Sequence, residues 1–260
     1  MKKKKISFSG KGGVGKSTLS IFFLKYLINN YPDFEILVID ADPDSNIADL
    51  LGMEVPFKDT VGGITTELKH QMANRSLPPG MSKNQMLEAE IYDSLIEEDN
   101  FDLMVMGRSE GEGCYCYINS ILKTILDDIS KNYSITILDM PAGLEHFARK
   151  TDKDVDDLVI VTDPSKMGFH TMNRIIEISD ELTLEFKNIW VIGNRFSDEL
   201  KSLLEGEVKN ILKKNVKLLG FIPEDEEISE FNFIGTSILE LPENNNAYLE
   251  FSSIISQILK

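Results

Sequence analysis

The run GKGGVGKST, Gly10 to Thr18, sets four glycines and two lysines ahead of a Ser-Thr pair. It satisfies the spacing Gly-x-x-x-x-Gly-Lys-[Ser/Thr]. Backbone turned by Gly12, Gly13, Val14 and Gly15 can aim N–H groups at a chain of phosphates, and a helix starting near Lys16 adds the positive end of its dipole. The ammonium of Lys16 is then expected to reach the β- and γ-phosphates of ATP, or the β-phosphate of ADP. Ser17 is expected to ligate Mg²⁺, with Thr18 beside it. Downstream, DADPDSN holds Asp40 and Asp42, and ILDMPAG holds Asp139, all at the ends of apolar runs. An aspartate at a strand end is ordinarily a turn or cap residue, but three such sites in one chain order with a phosphate loop point to a metal–nucleotide crevice. The chain's only two cysteines, Cys114 and Cys116, stand one residue apart in GEGCYCYIN.

Positioning those residues calls for short buried strands alternating with helices. KISFSG, EILVID, FDLMVMG, SITILDM, DLVIVTD, IWVIGN and KLLGFIP are apolar almost throughout, as strands covered on both faces of a parallel sheet are. KSTLSIFFLKYLINN, INSILKTILDDISKN and FHTMNRIIEISDELTLEF show helical spacing between them. Right-handed crossovers then give an α/β fold with a doubly wound, mainly parallel sheet flanked by helices. Residues 57–100 read as a helical elaboration around a Pro-Pro-Gly turn within a single domain spanning 1–260.

Composition narrows the partners. The 260 residues carry a formal net charge of −16, a field that repels nucleic-acid backbones and anionic lipid headgroups. Lys2 to Lys5 head only a short apolar run before Ser9, Gly10 and Lys11, so they read as a solvated lead-in to a strand and not as a secretory signal. No apolar run approaches the roughly 18 to 20 residues a spanning helix needs. A cytoplasmic protein is expected, and there close thiols more often bind metal than form structural bridges. Residues two apart point the same way only on extended backbone. Gly111 and Gly113 before the pair, with helical spacing from about Ile118, favour that for segment 111–118. One pair offers two sulfurs, whereas a closed thiophilic site wants four ligands; a symmetric dimer supplies the pair twice. Zinc would make such a site tetrahedral and nickel could make it tetragonal. Two small, partly buried thiols without a ligand role remain an alternative, and a strained adjacent-but-one disulfide a weaker one.

The second lysine of the loop, Lys11 in KGGVGKST, resembles the deviant phosphate loop of the MinD, ParA and nitrogenase iron protein ATPases. The resemblance implies a dimer in which Lys11 crosses to the partner's ATP and stabilises charge in transfer. It further implies that Asp42 positions the attacking water, that Asp40 supports the metal and loop, and that Asp139 bonds to Mg²⁺ through water. Asn194, Pro223 and Asp225 fall at the adenine-reading positions. More closely, VMGRSEGEGCYCYINSILK, AGLEHFARKT, DVDDLVIVTDPS and GNRF are similar to the CooC-type nickel-insertion ATPases that mature carbon monoxide dehydrogenase, and to relatives serving acetyl-CoA synthase. That likeness implies Ni²⁺ or Zn²⁺ held by Cys114 and Cys116 from each subunit of a homodimer, ATP turnover coupled to metal transfer, and a client nickel enzyme as partner; the charge of −16 already argues against nucleic acid or membrane as partners. Met140-Pro141 before the Ala-Gly of ILDMPAG is nearer the MinD form. His146, in GLEHF, reads either as a packed or solvated histidine or as a link between that loop and the metal. A MinD- or ParA-like positioning ATPase without a metal role is the rival reading, and an iron–sulfur electron carrier a third.

Overall fold

A computed structural model of the chain describes residues 3–42, 46–73, 83–108, 124–141, 155–181, 186–211 and 215–259. Eight strands form one sheet: Lys4–Gly10 (β1), Ile36–Asp40 (β2), Ile96–Glu97 (β3), Asp102–Val105 (β4), Ile135–Asp139 (β5), Asp157–Thr162 (β6), Asn188–Asn194 (β7) and Val216–Ile222 (β8). Their order across the sheet is β3-β4-β2-β5-β1-β6-β7-β8. Every neighbouring pair is parallel except β3 with β4. The seven expected strands are therefore present in an α/β, doubly wound arrangement. β3 is an addition: two residues on an edge, Ile96 half-buried and Glu97 exposed, carry no period for a sequence to show.

Helices cover both faces. Lys16–Asn30 (α1), Asn46–Leu50 (α2) and Asn246–Ile255 (α9) pack with Ile6, Phe8, Val38 and Ile137 in one core. Val61–Ala73 (α3), Lys83–Asp93 (α4), a helix including residues 124–130 (α5), Lys166–Glu181 (α6) and Asp198–Asn210 (α7) close the other, around Leu37, Ile39, Leu138, Ile160 and Val191. The odd and even residues of β2, β4, β5, β6 and β7 thus feed different cores, which is why these strands read as apolar runs. Glu226–Ile234 (α8) is different, having no buried residue of its own. It starts on Asp225, whose carboxylate caps the N–H groups of Glu227 and Ile228 at 3.0 and 3.3 Å.

Lys4 and Lys5 correct the sequence reading: they belong to β1 and are not a solvated lead-in. Lys4 Nζ lies 2.7 Å from buried Asp157 and Lys5 Nζ lies 2.8 Å from Asp127. A long aliphatic stem lets a lysine at the start of an interior strand lie along apolar surface while its head finds a carboxylate. Trp190 donates its indole N–H to the same Asp157 at 2.9 Å.

The far end of the chain returns to its beginning. Phe22 of α1 meets Phe251 and Tyr248 of α9 edge-on, with centroids 5.7 and 5.4 Å apart. Phe251 is fully buried. Phe251→Ala should cost about 3–5 kcal/mol of unfolding free energy by the usual loss of transfer energy plus cavity, read as a lower urea midpoint. A loss near zero would mean that α9 does not seal this core.

Candidate functional site

β1 sits where the chain order of the sheet reverses, with β5 and β2 on one side and β6 and β7 on the other. Ligand crevices open outside the carboxyl ends of strands at such a point. Gly10 ends β1, and the loop through Gly15 leads into α1. Gly15 has φ 89°, and a Cβ there would lie 2.5 Å from the amide nitrogen of Asn194, so both backbone and space demand glycine. α1 opens with neither a side-chain cap nor an acidic residue in its first turn. Its leading N–H groups can therefore serve an anion.

On the β5 and β2 side the loop meets three carboxylates. Lys16 Nζ donates to Asp42 at 2.9 Å, and both side chains are nearly buried. Ser17 Oγ donates to Asp139 at 2.5 Å. Asp40, fully buried, accepts from the N–H groups of Ile47 at 2.9 Å and Asp42 at 3.2 Å, tying the loop after β2 to the first turn of α2. Asp40 and Asp139 stand opposite each other in the β2–β5 register. Burial pushes the Asp40 carboxyl up to about 7, with the Asp139 charge adding to the shift. Burial likewise raises Asp139, to about 6, against the opposing pull of Lys16 and the Ser17 hydroxyl. Buried oxygen donors short of positive charge are a fit for Mg²⁺, a hard cation taken by carboxylates, hydroxyls and phosphates together.

Lys11 points the other way, toward β6. Its ammonium donates to Asp163 at 2.9 Å and to Ser165 Oγ at 3.3 Å. Burial pushes the Asp163 carboxyl up, but the Ser165 hydroxyl and the Lys11 ammonium outweigh it and hold the group below its ordinary value. A cleft of about 380 Å³ flanks the loop on the β7 and β8 side, lined by Gly13, Gly15, Lys16, Ser17 and Thr18 and by Asn194, Pro223 and Asp225. Asn194 donates its amide to the Val14 carbonyl at 2.8 Å.

Three residues of this site were not singled out in the sequence. Arg195 donates its guanidinium to the Gly13 carbonyl and holds φ 60°, rare for a residue with a side chain. Its place beside Asn194 in VIGNRF was the available signal. Asp163 and Ser165, in VTDPS, became visible only through strand order, which sets β6 against β1. Cys114, Cys116 and His146 lie outside the described residues.

A family model described as the CobQ/CobB/MinD/ParA nucleotide binding domain matches residues 6–237. An uncharacterized ATP-binding protein of Methanocaldococcus jannaschii is 40% identical over 254 residues, 98% of either chain. The carbon monoxide dehydrogenase accessory protein CooC of Rhodospirillum rubrum is 30% identical over 91% of this chain and 90% of its own. Among proteins of known structure, the MinD cell division protein of Aquifex aeolicus superposes with a TM-score of 0.70 at 21% identity, covering 98% of this chain and 96% of that one.

The raised carboxyls make a stability prediction with a definite sign. A carboxyl whose folded pKa exceeds its unfolded one stabilises the fold fully below the unfolded value and loses that contribution as pH rises through the folded one. For Asp40 the window runs from its ordinary 3.8 to about 7. In protein free of nucleotide and magnesium, the urea midpoint of the native chain should fall relative to that of Asp40→Asn between about pH 4 and 7. Parallel profiles for the two would refute the shift.

Proposed function

The chain belongs to the family of CobQ/CobB/MinD/ParA nucleotide-binding domains, and from that premise we propose that it is a homodimeric, magnesium-dependent ATPase that inserts nickel into an enzyme such as carbon monoxide dehydrogenase or acetyl-CoA synthase. The observation that carries the ATPase half is the buried pairing of Lys16 with Asp42 beside the Ser17–Asp139 bond. It sets the phosphate-binding ammonium and a water-orienting carboxylate directly on each other, 2.9 Å apart. Arrival of a triphosphate draws Lys16 to the β- and γ-phosphates and frees Asp42.

Backbone N–H groups from Gly12 to Thr18 then cradle the phosphates. Asn194, Pro223 and Asp225 border the space left for adenine. Ser17, and Asp139 through a water, would hold Mg²⁺, which supplies charge neutralisation for the phosphates. Asp42 orients a water whose oxygen bonds to the γ-phosphorus as the bond to the bridging oxygen breaks, leaving ADP and inorganic phosphate. Lys11 of one subunit meets the negative charge that builds on the partner's γ-phosphate, as an arginine finger does.

The cargo half is supported by likeness to the carbon monoxide dehydrogenase accessory protein and by the spacing of Cys114 and Cys116. Two copies of that pair give four sulfurs for one Ni²⁺ or Zn²⁺. A nucleotide that changes how the two subunits meet then changes metal affinity by the same coupling free energy. A positioning ATPase acting on membrane has weaker support, because Ala247, Tyr248, Phe251 and Ile255 of α9 are buried against the core and so are not offered to lipid. No helix among the described residues is long and apolar enough to cross a membrane.

Size-exclusion chromatography with elemental analysis tests both halves. The native protein should carry about one nickel or zinc per dimer, the Cys114→Ala/Cys116→Ala protein none. Full metal in the double variant would displace the cargo site from these cysteines. Lys16→Ala should lose ATP hydrolysis to background while still unfolding cooperatively in urea, at a midpoint lowered by the unpaired Asp42 that it leaves behind. Retained turnover would overturn the ATPase assignment.

A further inference from the structure

The two lysines of the phosphate loop are held by carboxylates on opposite sides of β1, Lys16 by Asp42 and Lys11 by Asp163. Lys16 of the first pair lines the cleft beside the phosphate loop, whereas neither member of the second pair does; Lys11 and Asp163 lie toward β6. Asp163 is not a loosely placed surface acid. One of its oxygens accepts from Ser165 Oγ at 2.5 Å, the other from Lys11 at 2.9 Å. Ser165 Oγ in turn accepts from the N–H of Gly168, fixing the start of α6. A Cβ on Gly168 would lie 2.2 Å from Asp163 Oδ1, so the helix packs directly on this carboxylate. Lys11 is thus received by a rigid acceptor built at the β6–α6 junction, with its side chain 30% exposed and that of Asp163 17% exposed.

We propose that Asp163, with Ser165, is a positioning residue for Lys11: it holds the lysine on its own subunit until a nucleotide-bearing partner competes for it. This deepens the assignment of Lys11 to the partner's phosphate and rests on it. A lysine engaged in cis cannot at the same time reach across an interface, and breaking the ion pair opposes every dimerisation that needs the lysine. Two such pairs break per symmetric dimer. ATP, whose γ-phosphate offers more negative charge than Asp163, supplies the competing acceptor; ADP, lacking that group, leaves Lys11 where it is. The device raises the nucleotide threshold for closure and so favours closure with ATP.

The test is dimerisation of the full chain with Mg²⁺ and a non-hydrolysable ATP analogue, followed by light scattering. Asp163→Asn should lower the analogue concentration needed for half-maximal dimer by roughly three- to tenfold, the scale of a partly exposed ion pair broken once per subunit. Asp163→Glu, which keeps a carboxylate, should restore much of the native threshold. Ser165→Ala, which keeps Asp163, should shift it the same way by less and provides a reading if Asp163→Asn folds poorly. In a Lys11→Ala background Asp163→Asn should have no effect. An unchanged or higher threshold for both Asp163→Asn and Ser165→Ala, or the same shift without Lys11, overturns the proposal while leaving the trans lysine standing. A native protein that stays monomeric at every analogue concentration overturns the trans lysine and this holding role together.

Discussion

Too few positive charges meet too many negative ones at the carboxyl end of the central strands, and the architecture around the phosphate loop follows from that imbalance. Asp40, Asp42 and Asp139 converge where Lys16 is the balancing ammonium. Burying unbalanced carboxylates costs folding free energy. The proposed occupants of the site, Mg²⁺ and the phosphates of a nucleotide, would supply the charge balance and hydrogen-bond donors that this cluster is short of. The surrounding hydrogen bonds lower the cost without removing it: Ser17 on Asp139, and the N–H groups of Ile47 and Asp42 on Asp40.

Parallel pairing makes the cluster possible. β1, β2 and β5 run side by side in the same sense and end at the same level, so the residues that close them fall within bonding reach. An antiparallel neighbour would have sent one of these ends to the far side of the sheet. The same geometry places β6 on the other flank of β1 and so brings Asp163 to Lys11. One glycine-rich loop is thereby served from both sides by carboxylates drawn from three different strand ends.

Much of this was legible in the amino-acid sequence because the physics is local. Seven strands showed as apolar runs since both faces of the sheet are covered, and α1 showed through its helical spacing after Lys16. What escaped depended on neighbours far along the chain. Lys4 and Lys5 looked solvated because nothing nearby announces Asp157 or Asp127. Asp225 lay at a position tied to adenine, yet its carboxylate is engaged in capping α8, which a Pro-Glu-Asp turn alone does not disclose. Arg195 carries a left-handed backbone that no propensity would assign to arginine. The pairing of Lys11 with Asp163 required the strand order before it could be seen.

The meeting of Phe22 with Phe251 and Tyr248 also constrains how the molecule comes into being. A ribosome exposes the phosphate loop and its helix early, but the aromatic partners that cover that helix are translated more than two hundred residues later. Until then Phe22 has an unfinished apolar neighbourhood, and contacts so distant along the chain close slowly. The helix behind the phosphate loop is therefore locked only after Tyr248 and Phe251 have been made and folded onto it.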